Sequence, residues 1–249
     1  MTYSTEFFKN RREQTLASAR PIVEHLWKAI KPETVLDVGC ATGIWLAEAQ
    51  KKGALNVRGI DGPWVPREEL EIEDAYFLEH DLSQNNPSDV GSYDLAFCIE
   101  VAEHLAPNAA DRLIDFLTSH ADAVLFSAAI PGQGGTGHVN EQPQSYWHKK
   151  FRDRKFECFD VVRPDFWDDP IINVIYKQNM LLYVRAKGVF HDALLEGQFA
   201  SSEVATNFSL DRIHPYLFKL RIAPKKTITQ RIQRKLESLS TIFPSRGLK

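Results

Sequence analysis

Cysteine is scarce in this chain of 249 residues: there are three, Cys40, Cys98 and Cys158, odd in number and dispersed. That argues against a disulfide frame and against a thiolate zinc cluster, and the three read as small packing residues. No apolar run approaches the roughly 18 residues of a membrane span. The opening Met1-Thr-Tyr-Ser-Thr-Glu-Phe-Phe-Lys lacks the apolar core of a signal peptide, so the expected location is the cytoplasm. Internal repeats and low-complexity tracts are absent too. Acidic residues are nearly missing from one end. From Arg212 to Lys249 there are ten Lys or Arg against one acid, Glu237, so this end carries about +9 and the remainder about −12, within a net charge of −3. A basic end of this kind suits an acidic membrane surface, nucleic acid or an acidic partner, or forms a solvated helix face. Hydrophobic residues at 43% and charged residues at 25% are ordinary for a globular domain with a sizeable core.

What the chain does have is concentrated between Thr34 and Asp61. Thr34-Val-Leu-Asp-Val-Gly-Cys-Ala-Thr-Gly43 is a short apolar strand running into an acid and a glycine loop. Ile44 to Lys52 follows as a helix, and Ile60-Asp61 closes a second strand on an acid. Glycines let such a turn take positive φ and let a ligand approach bare backbone, and a helix N-terminus adds N–H donors.

Further strands are expected at Ala75 to Glu79, Tyr93 to Ile99, Ala123 to Ala129, Phe156 to Val162 and Met180 to Ala186. A long N-terminal helix is expected from Thr5 to Ile30, broken near Pro21, and another helix at Asn108 to Ser119. Strands alternating with helices predict an α/β fold, a doubly wound, mostly parallel sheet of seven strands. The division expected is an N-terminal helical cap at 1–30, a cofactor-binding domain at 31–190 and a C-terminal extension at 191–249. Ile228, Ile232, Leu236 and Leu239 recur at helical spacing among Arg231, Arg234 and Lys235, the pattern of a basic amphipathic helix.

A dinucleotide site would want Gly-x-Gly-x-x-Gly. Here Gly39 and Gly43 stand four apart with Ala41 between them, and Asp37 precedes the first by two. The spacing Asp-x-Gly-x-x-x-Gly resembles motif I of the class I S-adenosylmethionine-dependent methyltransferases, which often carry a third glycine where Ala41 stands. The resemblance implies a Rossmann-like sheet with its last strand antiparallel, and S-adenosylmethionine as cofactor. Asp37, Gly39, Cys40 and Gly43 would shape the methionine end of its pocket. Asp61 would accept from the ribose hydroxyls, Asp81 from the adenine amine, and Leu82 would pack on the ring. Tyr3, Phe7, Arg11 and Arg12 would fold over it.

Cys98-Ile-Glu-Val-Ala-Glu-His-Leu ends the fourth strand, and Glu100, Glu103 and His104 stand at i, i+3 and i+4, one face of a helix if the chain turns helical there. Glu-x-x-Glu-His resembles the ubiquinone-pathway O-methyltransferases and the small-RNA 2′-O-methyltransferases, in which these residues hold a divalent cation. By that resemblance Glu100, Glu103, His104 and His138 form a metal site, with Mg favoured by the carboxylates and Mn, iron or zinc by the imidazoles. Without a metal, His138 is the general base, supported by Glu100 and His104.

Gly137-His-Val-Asn-Glu-Gln-Pro-Gln-Ser-Tyr-Trp-His mixes directional hydrogen-bonding groups with flat aromatic surfaces, a mixture suited to a sugar. With Tyr176-Lys-Gln-Asn-Met-Leu-Leu-Tyr it resembles methyltransferases associated with bacterial surface-polysaccharide biosynthesis. The expected reaction is therefore O-methylation of a saccharide or glycan intermediate. Two alternatives are methylation of an RNA ribose 2′-hydroxyl and a catalytically silent interaction subunit. The partners expected are a small-molecule or glycan acceptor and, through the basic end, an acidic membrane surface at its inner face. Nucleic acid is disfavoured because the positive charge lacks aromatic interleaving.

Overall fold

The computed structural model describes residues 5–88, 90–197, 199 and 210–222. In chain order the elements are α1 (Thr5–Ala29), β1 (Thr34–Val38), α2 (Ile44–Lys51), β2 (Asn56–Asp61), β3 (Phe77–Glu79), β4 (Tyr93–Ile99), α3 (Ala110–His120), β5 (Ala121–Ser127), α4 (Gln144–Asp153), β6 (Phe156–Phe159), α5 (Arg163–Phe166), α6 (Val174–Asn179), β7 (Leu181–Arg185), α7 (Val189–Glu196) and α8 (Pro215–Ile222). The seven strands form one sheet in the order β3-β2-β1-β4-β5-β7-β6. β7 runs antiparallel to both its neighbours and every other pair is parallel, the Rossmann-like arrangement expected.

Alternation along each strand divides the core into two layers. Val35, Leu95, Phe97, Ala123 and Leu125 face α1 and α2, packing with Ile22, Val23, Leu26, Leu46 and Ala49. Leu36, Val38, Ala96, Cys98, Val124 and Phe126 face the other side, packing with Leu113, Ile114 and Leu117 of α3 and Trp147 and Phe151 of α4. With both faces covered, the central strands are apolar nearly throughout, as parallel strands must be. All three cysteines are buried free thiols.

Several boundaries differ from expectation, each for a local reason. α1 runs through Pro21 as one helix of 25 residues. Pro21 cannot donate to the carbonyl four residues back, but the adjoining Ile22, Val23 and Leu26 are wholly buried, and that packing outweighs the lost bond. The third strand keeps only Phe77–Glu79, because Asp74–Tyr76 turn as a 3₁₀ segment. The fifth begins at Ala121 and ends at Ser127, and the sixth stops at Phe159. The helix expected from Asn108 begins at Ala110, after a 3₁₀ turn over Pro107–Ala109.

One compact unit spans Met1–His214 and a second Pro215–Lys249. Position 190 is therefore interior to the first. The Leu210 carbonyl accepts from Arg163 Nη1 at 2.7 Å and Asp211 Oδ1 accepts from Ser145 N at 2.8 Å, stitching residues 210–211 to α5 and α4. The basic segment containing Ile228, Ile232, Leu236 and Leu239 lies outside the described residues. Among the described residues no helix is long and apolar enough to cross a membrane.

Strand order reverses between β1 and β4, and at such a switch point the carboxyl ends of the strands leave a crevice. The turn from β1 to α2 forms its floor. Gly39, Ala41 and Gly43 all have positive φ, 81°, 49° and 80°. Gly39 and Cys40 both donate backbone N–H to the Ile60 carbonyl, at 2.8 and 3.1 Å, locking the turn to the tip of β2. A Cβ on Gly39 would fall 2.3 Å from Val101 Cγ2, so a second constraint besides φ requires glycine there. Ala41 alone pays for a left-handed conformation with a side chain, a cost of about 1–2 kcal/mol for non-glycine residues. Ala41→Gly is therefore expected to stabilise the chain by roughly 0.5–1 kcal/mol, after the extra freedom glycine gives the unfolded chain. Urea unfolding checks this; a destabilised variant would show that the turn is unstrained.

Candidate functional site

A cavity of about 320 Å³ opens at the carboxyl ends of β1, β2 and β4, walled by Phe8, Arg11, Arg12 and Thr15 of α1. Tyr3 lies outside the described residues, and of Phe7 only the backbone is described. Arg12 forms an ion pair with Glu71, and Lys9 Nζ lies 3.1 Å from Glu69. These pairs hold α1 against the segment before β3.

Asp37 is 2% exposed, lines the cavity and has one carboxylate oxygen, Oδ2, with no hydrogen-bond partner. Burial, and then the neighbouring charge of Asp61, push its carboxyl well above the ordinary range. An acid so placed calls for a donor from a ligand. Asp61, at the tip of β2, is already engaged: Oδ2 accepts from Ala41 N at 2.8 Å, and Oδ1 from Gly62 N at 2.7 Å and Trp64 Nε1 at 2.9 Å. Burial raises its pKa against those three bonds. Trp64 lies flat over Gly62, where a Cβ would meet the indole at 2.3 Å.

Gly39, Cys40, Asp81 and Leu82 also line the cavity. Cys40 packs its thiol over Gly59, at which a Cβ would fall 2.7 Å from Sγ, and burial followed by Asp37 and Asp61 raises its pKa well above the thiol range. It is a packing group, as its residue type suggested. Asp81 caps its own turn, accepting from Ser83 N at 2.9 Å, Ser83 Oγ at 2.6 Å and Gln84 Nε2 at 3.2 Å. The Ser83 hydroxyl leads the bonds that hold its pKa down. Gly43 does not border the cavity. Its positive φ starts α2, and Ile72 packs where its Cβ would be, at 2.9 Å.

Beyond β4 the chain does not turn α-helical. Glu100 takes φ 56° and Ala102–His104 form one 3₁₀ turn, so the acids at i and i+3 do not share a helical face. Glu103, His104 and His138 bring one ligand atom each within 4.8 Å of one another. Glu100 stands outside this group, its Oε2 accepting from Gln133 Nε2 at 3.0 Å and its Oε1 from Asn179 Nδ2 at 3.1 Å.

Glu103 is completely buried, and neither carboxylate oxygen has a hydrogen bond of good geometry to a donor, though the carboxyl of Glu100 lies against it; His104 Nδ1 also lacks a partner. Burial and the Glu100 charge push the Glu103 carboxyl well up. Burial, then His138, lowers the His104 pKa, leaving a neutral ring with a lone pair at neutral pH. One carboxylate and two imidazoles fit a divalent transition ion better than magnesium, which prefers an all-oxygen shell.

Sequence reading missed what positions these groups. Glu141 Oε1 lies 2.9 Å from His138 Nδ1, and the same carboxylate accepts from Gly132 N at 2.8 Å and Gly134 N at 2.6 Å. Burial opposes ionisation of Glu141, yet these bonds hold its pKa below the usual value. A carboxylate behind an imidazole fixes its tautomer and orientation. At Gly135 a Cβ would fall 2.2 Å from His138 Nε2, so the glycine-rich loop is where the ring passes over bare backbone. The only signal for Glu141 was its place three residues after His138. Trp45 and Trp64 line the cavity with no motif to announce them, and Tyr176, which opens a segment singled out in the sequence, lines it too. In the segment read as sugar-binding, Trp147 is 2% exposed against Phe126 and serves the core, while Asn140 is also 2% exposed, its Oδ1 accepting from Gln142 Nε2 at 3.0 Å and its Nδ2 without a partner.

Residues 9–160 match the model of a family described as methyltransferase domain. The chain is similar to a ubiquinone biosynthesis O-methyltransferase of Neisseria meningitidis, 29% identical over 133 residues, 48% of this chain and 49% of that one. It thus spans about half the length of the curated relatives it matches. Its fold is similar to that of a sugar N-methyltransferase from Streptoalloteichus sp., with a TM-score of 0.57 at 12% identity over 75% of this chain and 94% of the other. A magnesium protoporphyrin IX methyltransferase from Synechocystis with bound SAH gives 0.51 at 20% identity, over 75% and 90%.

The raised Asp37 carboxyl has a consequence for stability. Its folded-state pKa exceeds its unfolded value, so its contribution is complete below about pH 4 and drains away as pH rises through the raised value. Asp37→Asn removes that ionisation. The ligand-free variant is expected to be more stable than the parent at pH 8, by about 1–3 kcal/mol, with the gap closing towards pH 4. Urea unfolding at the two pH values measures it, and a gap that persists at acid pH would contradict the assignment.

Proposed function

We propose, given that the chain belongs to the methyltransferase-domain family, that it transfers a methyl group from S-adenosylmethionine to a hydroxyl of a saccharide or glycan intermediate. The observation that carries this reading is the group of buried Glu103 with half-buried His104 and His138, set beside a cavity lined by Asp37, one of whose carboxylate oxygens has no partner. The cofactor supplies an activated methyl on a sulfonium, together with an amino group that suits Asp37 and a ribose diol that suits Asp61.

Asp37 binds the ammonium and Asp61 the ribose, exchanging its bond to Trp64 for ligand hydroxyls. Leu82 offers an apolar wall for the adenine. In the transfer, an acceptor oxygen lone pair forms the new C–O bond as the C–S bond breaks. The electron pair stays on sulfur as a neutral thioether, and the hydroxyl proton passes to His138 or water. Alignment in a closed cavity supplies much of the rate, since the donor is already activated.

An aliphatic hydroxyl is nearly as weak an acid as water. Glu103, His104 and His138 would hold a divalent cation, Mn, iron or zinc ahead of Mg, whose chemistry is to acidify and orient a vicinal diol. Glu141 fixes the imidazole of His138 in either case. A vicinal diol is the group such an ion would grip, and saccharides present it. The approach of His138 to Glu103 and His104 also favours a second reading, an RNA ribose 2′-hydroxyl, given the resemblance to the small-RNA enzymes.

Methyl transfer assayed on oligosaccharide, nucleotide-sugar and RNA 3′-end acceptors separates the two. We expect product with a saccharide, loss of at least about 100-fold on chelation or in Glu103→Gln, and better restoration by Mn than by Mg. Methylation of RNA alone would overturn the acceptor class. Activity that survives chelation while His138→Ala is dead would leave a general base and remove the ion.

A further inference from the structure

Two aromatic side chains of the cavity have no part in the scheme above. Trp45, from the first turn of α2, and Tyr176, from α6, both line it. Their ring centroids lie 5.5 Å apart at an interplanar angle of 88°, so they make a right-angled corner. Trp45 is fixed from behind by Phe97 of β4, at 6.0 Å, and is 6% exposed. Tyr176 lines the cavity together with Thr15 of α1 and the carboxylates of Asp37 and Glu100, and burial leads the causes that raise its pKa.

This places two mutually perpendicular rings and two carboxylates, Asp37 and Glu100, on the wall of one cavity, Asp37 with an unpartnered oxygen. Aromatic faces carry negative potential and attract a cation within about 6 Å of the ring centre, more strongly when water is excluded. A neutral ligand gains only the contact area.

We propose that Trp45 and Tyr176 form the receptor for the sulfonium, so that the site distinguishes the charged methyl donor from its neutral thioether product. The inference rests on the cofactor reading above and adds to it a pair of binding residues and a charge preference. It also gives turnover a direction. When the methyl leaves, sulfur loses its positive charge and the corner loses its hold, which favours release of the spent cofactor.

The test compares affinities for S-adenosylmethionine and S-adenosylhomocysteine by calorimetry in the full-length protein, with Tyr176→Leu and Tyr176→Phe beside the parent. The parent is expected to bind the donor more tightly than the product. Tyr176→Leu should weaken donor binding about 2- to 30-fold while changing product affinity less than about 2-fold, and Tyr176→Phe, which keeps the ring, should retain the parent's ratio. Thermal unfolding of each variant verifies that the fold is intact. Equal loss for both ligands in Tyr176→Leu, or no loss for the donor, would overturn the corner while leaving the cofactor assignment standing. Failure of the parent to bind either ligand would instead remove the cofactor reading, and the corner with it.

Discussion

The hydrogen bond from the Ala41 backbone N–H to Asp61 Oδ2 is the constraint on which the site is built. It joins the turn after β1 to the tip of β2, in a turn where Gly39, Ala41 and Gly43 all have positive φ. That turn presents Asp37 and Cys40 to the cavity, starts α2 and therefore places Trp45. The Ala41 bond acts together with those from Gly39 N and Cys40 N to the Ile60 carbonyl, so loosening the turn would disturb the cavity-facing groups together.

Around that turn the site is a collection of buried carboxylates with differing degrees of satisfaction. Asp61 has three donors, Glu100 has two side-chain amides, and Asp37 and Glu103 have oxygens with none. Unsatisfied buried acids destabilise a ligand-free protein. Asp37 and Glu103 are therefore the positions at which the proposed cofactor ammonium and the proposed divalent ion would each supply a missing partner. Stability and binding are thereby opposed within the same few residues.

The sheet was largely legible because burial on both faces leaves runs such as Val35-Leu36 and Leu95-Ala96-Phe97 with few polar interruptions, and because helices alternate between them. Boundaries were less so: Pro21 reads as a helix break until the burial of Ile22, Val23 and Leu26 is known. In the site, Asp37, Gly39 and Asp61 announced themselves by spacing along the chain. Glu141, Gln133, Asn179 and Tyr176 did not, because their roles depend on loops and helices that meet the strand tips only in three dimensions. Glu100 lines the cavity but stands outside the group of Glu103, His104 and His138 for a related reason. Spacing at i and i+3 assumes a helix, and its positive φ sends the carboxylate toward Gln133 and Asn179 instead.

The most direct test of the account is a crystal structure of the protein with S-adenosylhomocysteine. It should show the ligand amino group on Asp37 Oδ2 and its ribose hydroxyls on Asp61, with the Trp64 indole displaced from Oδ1. Ligand bound elsewhere, or Asp37 still without a partner in the complex, would contradict the claim that the cleft at the ends of β1 and β2 is the cofactor site.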